Sequence, residues 1–209
     1  SRLSKTSMPL AASTDRSFRS SSATTFAGVA PGATVLPVRY TGSRSDGRAD
    51  GDARALARGV RYATRNGARV IVVVSAETTD ARPLRDAVAE AVAADVVVVS
   101  AGKPARGGVT YPTAYPGVLG VTAIGQDGTP VPDAERGAHI AVAAPGSGLI
   151  GPAPRRSGHV YPVTSPGMAA AFVGGAVALV RAYRPALSGP DVVRQIRRTA
   201  TPLLAGGPD

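Results

Sequence analysis

The 209 residues suit a single domain and are enough to bury a substantial core. Hydrophobic residues make up 44 % of the chain and aromatics 4 %, with no Trp, so Ala, Val and Gly must build that core; with no Cys, disulfides and thiolate metal sites are excluded. The net charge of +10 fits either a plain solubility surface or an anionic partner, but the basic residues are not interleaved with aromatics in any nucleic-acid motif, so nucleic acid is not favoured as a partner.

Residues 1–27, rich in Ser, Thr, Ala and Arg, form a poorly patterned amino-terminal segment of one domain spanning 1–209. No charged-then-apolar leader opens the sequence, and the longest apolar runs fall short of a bilayer span. The run ATVLPVRY (33–40) predicts a strand. A helix follows over 52–68, with Ala55, Leu56, Gly59, Val60 and Ala63 at helical spacing and Asn66-Gly67 as its stop. RVIVVVS (69–75) is a continuous β-branched run, which marks a strand buried on both faces of a parallel sheet. A helix over 81–95 comes next, capped by Asp80 and with Pro83 in its first turn. Strands are predicted at 96–102, 118–124 and 139–146, a long helix from about 167, and a last helix from Gly189 to about 199. Asp127-Gly128 reads as a turn, and Asp191 has a structural place near the start of the last helix. Repeated β-α-β units with short links imply an α/β fold, a three-layer α/β/α sandwich around a mostly parallel sheet. Sites in such sheets form at the carboxyl ends of the strands. Here those ends lead into SAETTD (75–80), SAGKPARGG (100–108) and APGSG (144–148), and the turn at 164–167 enters the long helix.

Six segments, in order, carry a resemblance: FAGVAPGATVLPVR, DARALARGVRYATRNGARVIVVVS, ARPLRDAVAEAVAADVVVVSAG, TAYPGVLGVTAIGQDG, IAVAAPG and VTSPGMAAAFVGGAVALVRAYRPALSGPDVVRQIRRTATP. From about residue 26 to 200 the chain resembles the subtilisin-like serine proteases, closest in style to the actinobacterial mycosin type. That resemblance implies a subtilisin-like sandwich, and it implies work outside the cytoplasm, in a secreted or cell-envelope setting. It also implies a degenerate catalytic apparatus. The family motif opens Gly-Thr-Ser-Met-Ala, and this chain reads Ser-Pro-Gly-Met-Ala, so the nucleophile position falls on Gly167. The oxyanion asparagine that follows Ala-Gly becomes Lys103. Lys5 is the best counterpart of the catalytic histidine, and the chain has no His before His139. The strand bearing the catalytic Asp would precede residue 1. A Ser–His–Asp mechanism needs nucleophile, base and orienting acid in hydrogen-bond contact, together with an oxyanion donor.

Ser165 is the one candidate for a substitute nucleophile, with Lys103 as base in a Ser–Lys dyad; the simpler reading makes Ser165 the cap of the long helix and Lys103 a solvated side chain. His139 starts a strand and His159 lies in a loop, and without an accompanying carboxylate or Cys pattern they predict no metal site. No cofactor is expected. The resemblance leaves a peptide groove, in which Ser75, Ala76, Glu77, Ser100, Ala101 and Gly102 hold an extended peptide as an added strand through main-chain hydrogen bonds. Glu77 stands where the family has Gly for close approach, and its side chain either blocks the groove or shifts its preference towards basic peptides. Three functions follow. In the first, an inactive homologue acts as a peptide- or protein-binding scaffold, with an active subtilase, a second copy or a secretion complex as partner. In the second, the chain is a peptidase with unorthodox or partner-supplied catalytic residues. In the third, the basic surface binds nucleic acid or anionic lipid.

Overall fold

The computed structural model describes residues 28–43, 49–50, 52–102, 108–132, 134–152 and 159–202. The elements run β1 (Gly42–Ser43), β2 (Ala49–Asp50), α1 (Ala53–Arg65), β3 (Val70–Val73), α2 (Arg82–Ala93), β4 (Val97–Ser100), β5 (Val118–Ile124), β6 (Ile140–Pro145), β7 (Leu149–Pro152), β8 (His159–Val163), α3 (Pro166–Tyr183) and α4 (Gly189–Thr199). The central sheet has the order β3-β4-β5-β6, parallel throughout. Short antiparallel pairs β1–β2 and β7–β8 lie outside it.

Alternation along the strands assigns each side chain to a layer. Ile71 and Val73 of β3, with Val98 of β4, pack against Leu56, Ala57 and Val60 of α1 and Leu84, Ala87 and Val88 of α2. Val97 and Val99 face the other way, joining Leu119, Val121 and Ala123 of β5 beneath Ala169, Ala170, Val173 and Val177 of α3 and Val192 of α4. The three-layer sandwich therefore stands as predicted, with β4 buried on both faces because helices cover both. Small residues set the spacing of the α3 layer. A Cβ on Gly174 would collide with the Val72 side chain, so only Gly allows the helix this close.

Helix ends follow local chemistry. Asp52 caps α1 by accepting from the Ala55 N–H at 2.6 Å, and Asn66 with Gly67 (φ +78°) closes it. Asp95 ties three helices together from a left-handed backbone (φ 63°): one carboxylate oxygen accepts from the Gly189 N–H at the start of α4, and the other accepts from Arg181 of α3 at 3.1 Å. These donors, the Gly189 N–H first and Arg181 second, hold its carboxyl below the usual carboxylate range. Arg181 is 4 % exposed, so this ion pair is anchored at its cationic end in the core.

Four expectations change. Residues 33–40 join no ladder among the described residues; Pro37 removes a donor, Val35 is 71 % exposed, and Val38 and Tyr40 pack against the α1 side of the core instead. Asp80 does not cap α2. Ala81 is the cap residue, and the Asp80 carboxylate is taken by Arg85 and by the Tyr115 hydroxyl at 2.8 Å. His159 opens β8 rather than lying in a loop, because it pairs with Pro152 in the antiparallel β7–β8 ladder. Finally, α3 is long and apolar enough to cross a membrane by length and composition, with 18 residues of mean hydropathy 1.3, although in this fold its small face is the cover of the sheet.

Candidate functional site

The carboxyl ends of β3 and β6 meet the amino end of α3. Ser165 is extended (φ −162°, ψ 131°) and is the amino cap of the helix: its Oγ accepts from the Gly167 N–H at 3.2 Å. Its own N–H donates to the Gly146 carbonyl at 2.8 Å, which fastens the cap to the loop after β6. Beside it, the hydroxyls of Ser147 and Thr164 are 2.9 Å apart. Pro166 fits the first helical turn because its missing N–H needs no partner there. Gly167, at the position the resemblance aligns with a nucleophile, abuts the end of β3. A Cβ on Gly167 would lie 2.5 Å from the Val74 carbonyl oxygen and 3.0 Å from the Val74 Cβ.

The chain leaving β3 is the edge to which the resemblance assigns a peptide groove. Val74 is 59 % exposed. The Ser75 carbonyl accepts from the Tyr40 hydroxyl at 3.0 Å, and Glu77 Oε1 lies 3.4 Å from the same hydroxyl. Burial is the main reason the Glu77 carboxyl is pushed up, partly opposed by the Tyr40 hydrogen bond; burial likewise raises the Tyr40 phenol. The Glu77 main chain is already used, since its N–H and carbonyl both bond Tyr111, at 2.7 Å each, in an antiparallel bridge. Ala76, between them, carries no hydrogen bond among the described residues and is half-buried.

The second predicted rim lies deeper. Ser100, Ala101 and Gly102 are all buried. A polar chain covers them: Ser100 Oγ is 2.9 Å from Thr113 Oγ1, which is 3.1 Å from Thr110 Oγ1. Thr110 in turn donates to Glu135 twice, from its N–H to Oε1 at 2.7 Å and from its hydroxyl to Oε2 at 2.5 Å. His139 Nε2 completes the shell at 2.9 Å from Glu135 Oε1. Any side chain at Gly102 would collide with Thr110 and Glu135, so the glycine is required by close packing. Glu135 is 0 % exposed, a buried carboxylate satisfied by three donors.

Of the predicted site residues, the structure brings Gly167, Ser165 and Ser75–Glu77 to one sheet end, with Ser100–Gly102 buried at the end of the neighbouring β4. Lys5 and Lys103 lie outside the described residues. His139, read from sequence as lacking a carboxylate, has one at hydrogen-bond distance in Glu135; the four-residue spacing Glu135-x-x-x-His139 was the available signal. Among the described residues no group of three His, Cys, Asp or Glu side chains comes together.

Comparison with known proteins agrees with this fold. Residues 10–209 match the profile described as the subtilase family. A thermostable alkaline protease of Halalkalibacterium halodurans is 30 % identical over 178 residues, 84 % of this chain and 47 % of that protein. Subtilisin Savinase of Lederbergia lenta is 29 % identical, over 84 % of this chain and 64 % of its own length. Among solved structures, the patellamide maturation protease PatA superposes with a TM-score of 0.69 at 27 % identity, covering 84 % of this chain and 66 % of that one. MycP1, described as an essential component of the type VII (ESX-1) secretion system, gives 0.62 at 28 % identity, over 73 % and 52 %. The chain thus spans about half to two thirds of the proteins it matches.

Proposed function

Because the chain belongs to the subtilase family, we propose that it is a non-catalytic member, a pseudoprotease that keeps the family's scaffold to hold an extended peptide or a partner protein. One observation carries this reading. The residue aligned with the nucleophile is Gly167, and it packs so tightly against the Val74 carbonyl that a Cβ would sit 2.5 Å from that oxygen. Ser165 is no substitute, because its Oγ is engaged as the helix cap and points to the Gly167 N–H. His139, the first histidine in the chain, is committed to Glu135.

Peptide capture needs only main-chain groups and a pocket rim. Ala76 offers its N–H and carbonyl, and the neighbouring Ser75 is held by Tyr40, so the strand end is ordered before a ligand arrives. Glu77 gives the groove a carboxylate and directs it to basic peptides. Ser100, Ala101 and Gly102 form the supporting floor. The partner in this reading is an active subtilase, a second copy of the chain or a secretion assembly, met outside the cytoplasm, and no cofactor is needed.

The test is incubation of the full chain with a fluorophosphonate probe, read by intact mass, beside an active subtilase as control. No adduct together with binding of an extended basic peptide by fluorescence anisotropy supports the proposal. An adduct at Ser165, or steady hydrolysis of casein, overturns it and favours an unorthodox peptidase. Steeply salt-dependent binding to DNA or anionic vesicles, without peptide binding, overturns it in favour of the basic surface.

A further inference from the structure

The amino end of the sheet, opposite the groove, carries a separate cavity of about 340 Å³, within the range of small-molecule sites. It opens where β4, β5 and β6 begin, between the last turn of α2 and the flank of α4. Its walls are apolar: Val92 and Val96 on one side, Val118 and Ile140 across the strand starts, and Val193 from α4. Its rim is cationic. Arg194 and Arg197 stand three residues apart on one face of α4, both exposed. Arg194 bonds Asp191 of its own helix, while Arg197 has no ion-pair partner among the described residues. His139 also lines the cavity, and its ring is held there by the hydrogen bond between Nε2 and the buried Glu135.

An apolar pocket with a guanidinium at its mouth selects a ligand with one anionic end and a hydrocarbon body. We propose that this cavity binds a hydrocarbon carboxylate, its tail among Val92, Val96, Val118 and Val193 and its carboxylate on Arg197 and Arg194. The site shares no residue with the peptide groove, and its occupation is independent of whether the groove binds peptide. The tail supplies most of the affinity, and the carboxylate supplies orientation and discrimination against neutral chains.

The experiment is titration calorimetry of the full chain with octanoate at low salt, with hexanoate, decanoate and octan-1-ol as comparisons. The expected result is saturable binding of octanoate that weakens about three- to fourfold for each methylene removed and is about tenfold tighter than that of octan-1-ol. Arg197→Glu, an exposed substitution, should weaken octanoate at least about tenfold with thermal unfolding unchanged. Val193→Phe, which fills the cavity from the α4 side, should abolish binding of the longest chain first. Absence of saturable binding, equal affinity for octan-1-ol, or indifference to both substitutions overturns the proposal.

Discussion

Replacing Glu135 by Ala tests whether the buried carboxylate holds the β4–β5 connection together. The side chain is 0 % exposed and receives three hydrogen bonds: the Thr110 N–H at 2.7 Å, the Thr110 hydroxyl at 2.5 Å and His139 Nε2 at 2.9 Å. Truncation affects these donors unequally. The Thr110 hydroxyl can fall back on Thr113, 3.1 Å away, and His139 is 19 % exposed and reaches water. The Thr110 N–H has no other acceptor among the described residues, and Thr110 is 1 % exposed, so its desolvation cost becomes uncompensated. The unsatisfied N–H costs about 1–3 kcal/mol and the emptied side-chain volume adds about 1 kcal/mol, which for a chain of this length is a fall in Tm of roughly 4–16 °C. Glu135→Gln keeps an acceptor for the Thr110 N–H but turns an amide donor towards a second donor, for about 1–2 kcal/mol. Urea unfolding followed by circular dichroism measures both, and a double-mutant cycle with His139→Ala isolates the pair. If Glu135→Ala stays within about 1 kcal/mol of the parent at unchanged m-value, the account of this network is wrong.

Three further outcomes are expected. Gly167→Ser restores a hydroxyl at the aligned position but pushes a Cβ towards the Val74 carbonyl; it should destabilise by about 1–3 kcal/mol and still give no fluorophosphonate adduct, and an adduct at residue 167 would show that a base is at hand. The Tyr115 phenol is pushed up to about 12, by burial first and by its bond to Asp80 second. An unfolded tyrosine releases its proton near about 10, so this group's stabilisation is complete below that pH and is lost as pH rises towards 12; Tyr115→Phe should flatten this part of the alkaline limb in pH-dependent urea midpoints. Asp95 works in the other direction. Its folded carboxyl is depressed, so its contribution is present above about 3.9 and is lost as pH falls below it; Asp95→Asn should flatten the acid limb, and an unchanged limb would remove Asp95 as the tie between α2, α3 and α4.

The layered core was legible because its signals are local. Val96–Val99 is a continuous β-branched run, and Val192 and Ile196 are four apart on α4. Ser165 was legible as a cap because a hydroxyl followed by Pro and a small-residue run is chemistry within one turn. What escaped depends on distant partners. Residues 33–40 have strand composition, but composition does not supply a neighbour to pair with. Asp80 has a helix-cap identity, yet Tyr115 and Arg85 compete for its carboxylate. Glu135 sits in a connector of Asp, Gly and Pro that reads as solvated loop, and its donors arrive from Thr110, 25 residues earlier, through the room left by Gly102. Ala76 was named among six groove residues, but only the Tyr111 bridge and the Tyr40 contact show which main-chain groups of that stretch are already used.

The two glycines on the inner face of α3 act together as a jig. Gly167 rests on Val74 and Gly174 on Val72, so the helix runs antiparallel to β3 and touches it at two points about 10 Å apart along its axis. Two such contacts remove the freedom to slide or to turn. Shifting the helix by one residue would bring Met168 or Pro166 to the Val74 contact, where only a hydrogen fits. The position of the helix start is therefore enforced from within the core, with no help from whatever chemistry that start performs. Substitutions at the sheet end can erase a reaction while the pose persists, and a larger side chain at residue 174, remote from the groove, would displace the groove as surely as one placed beside it.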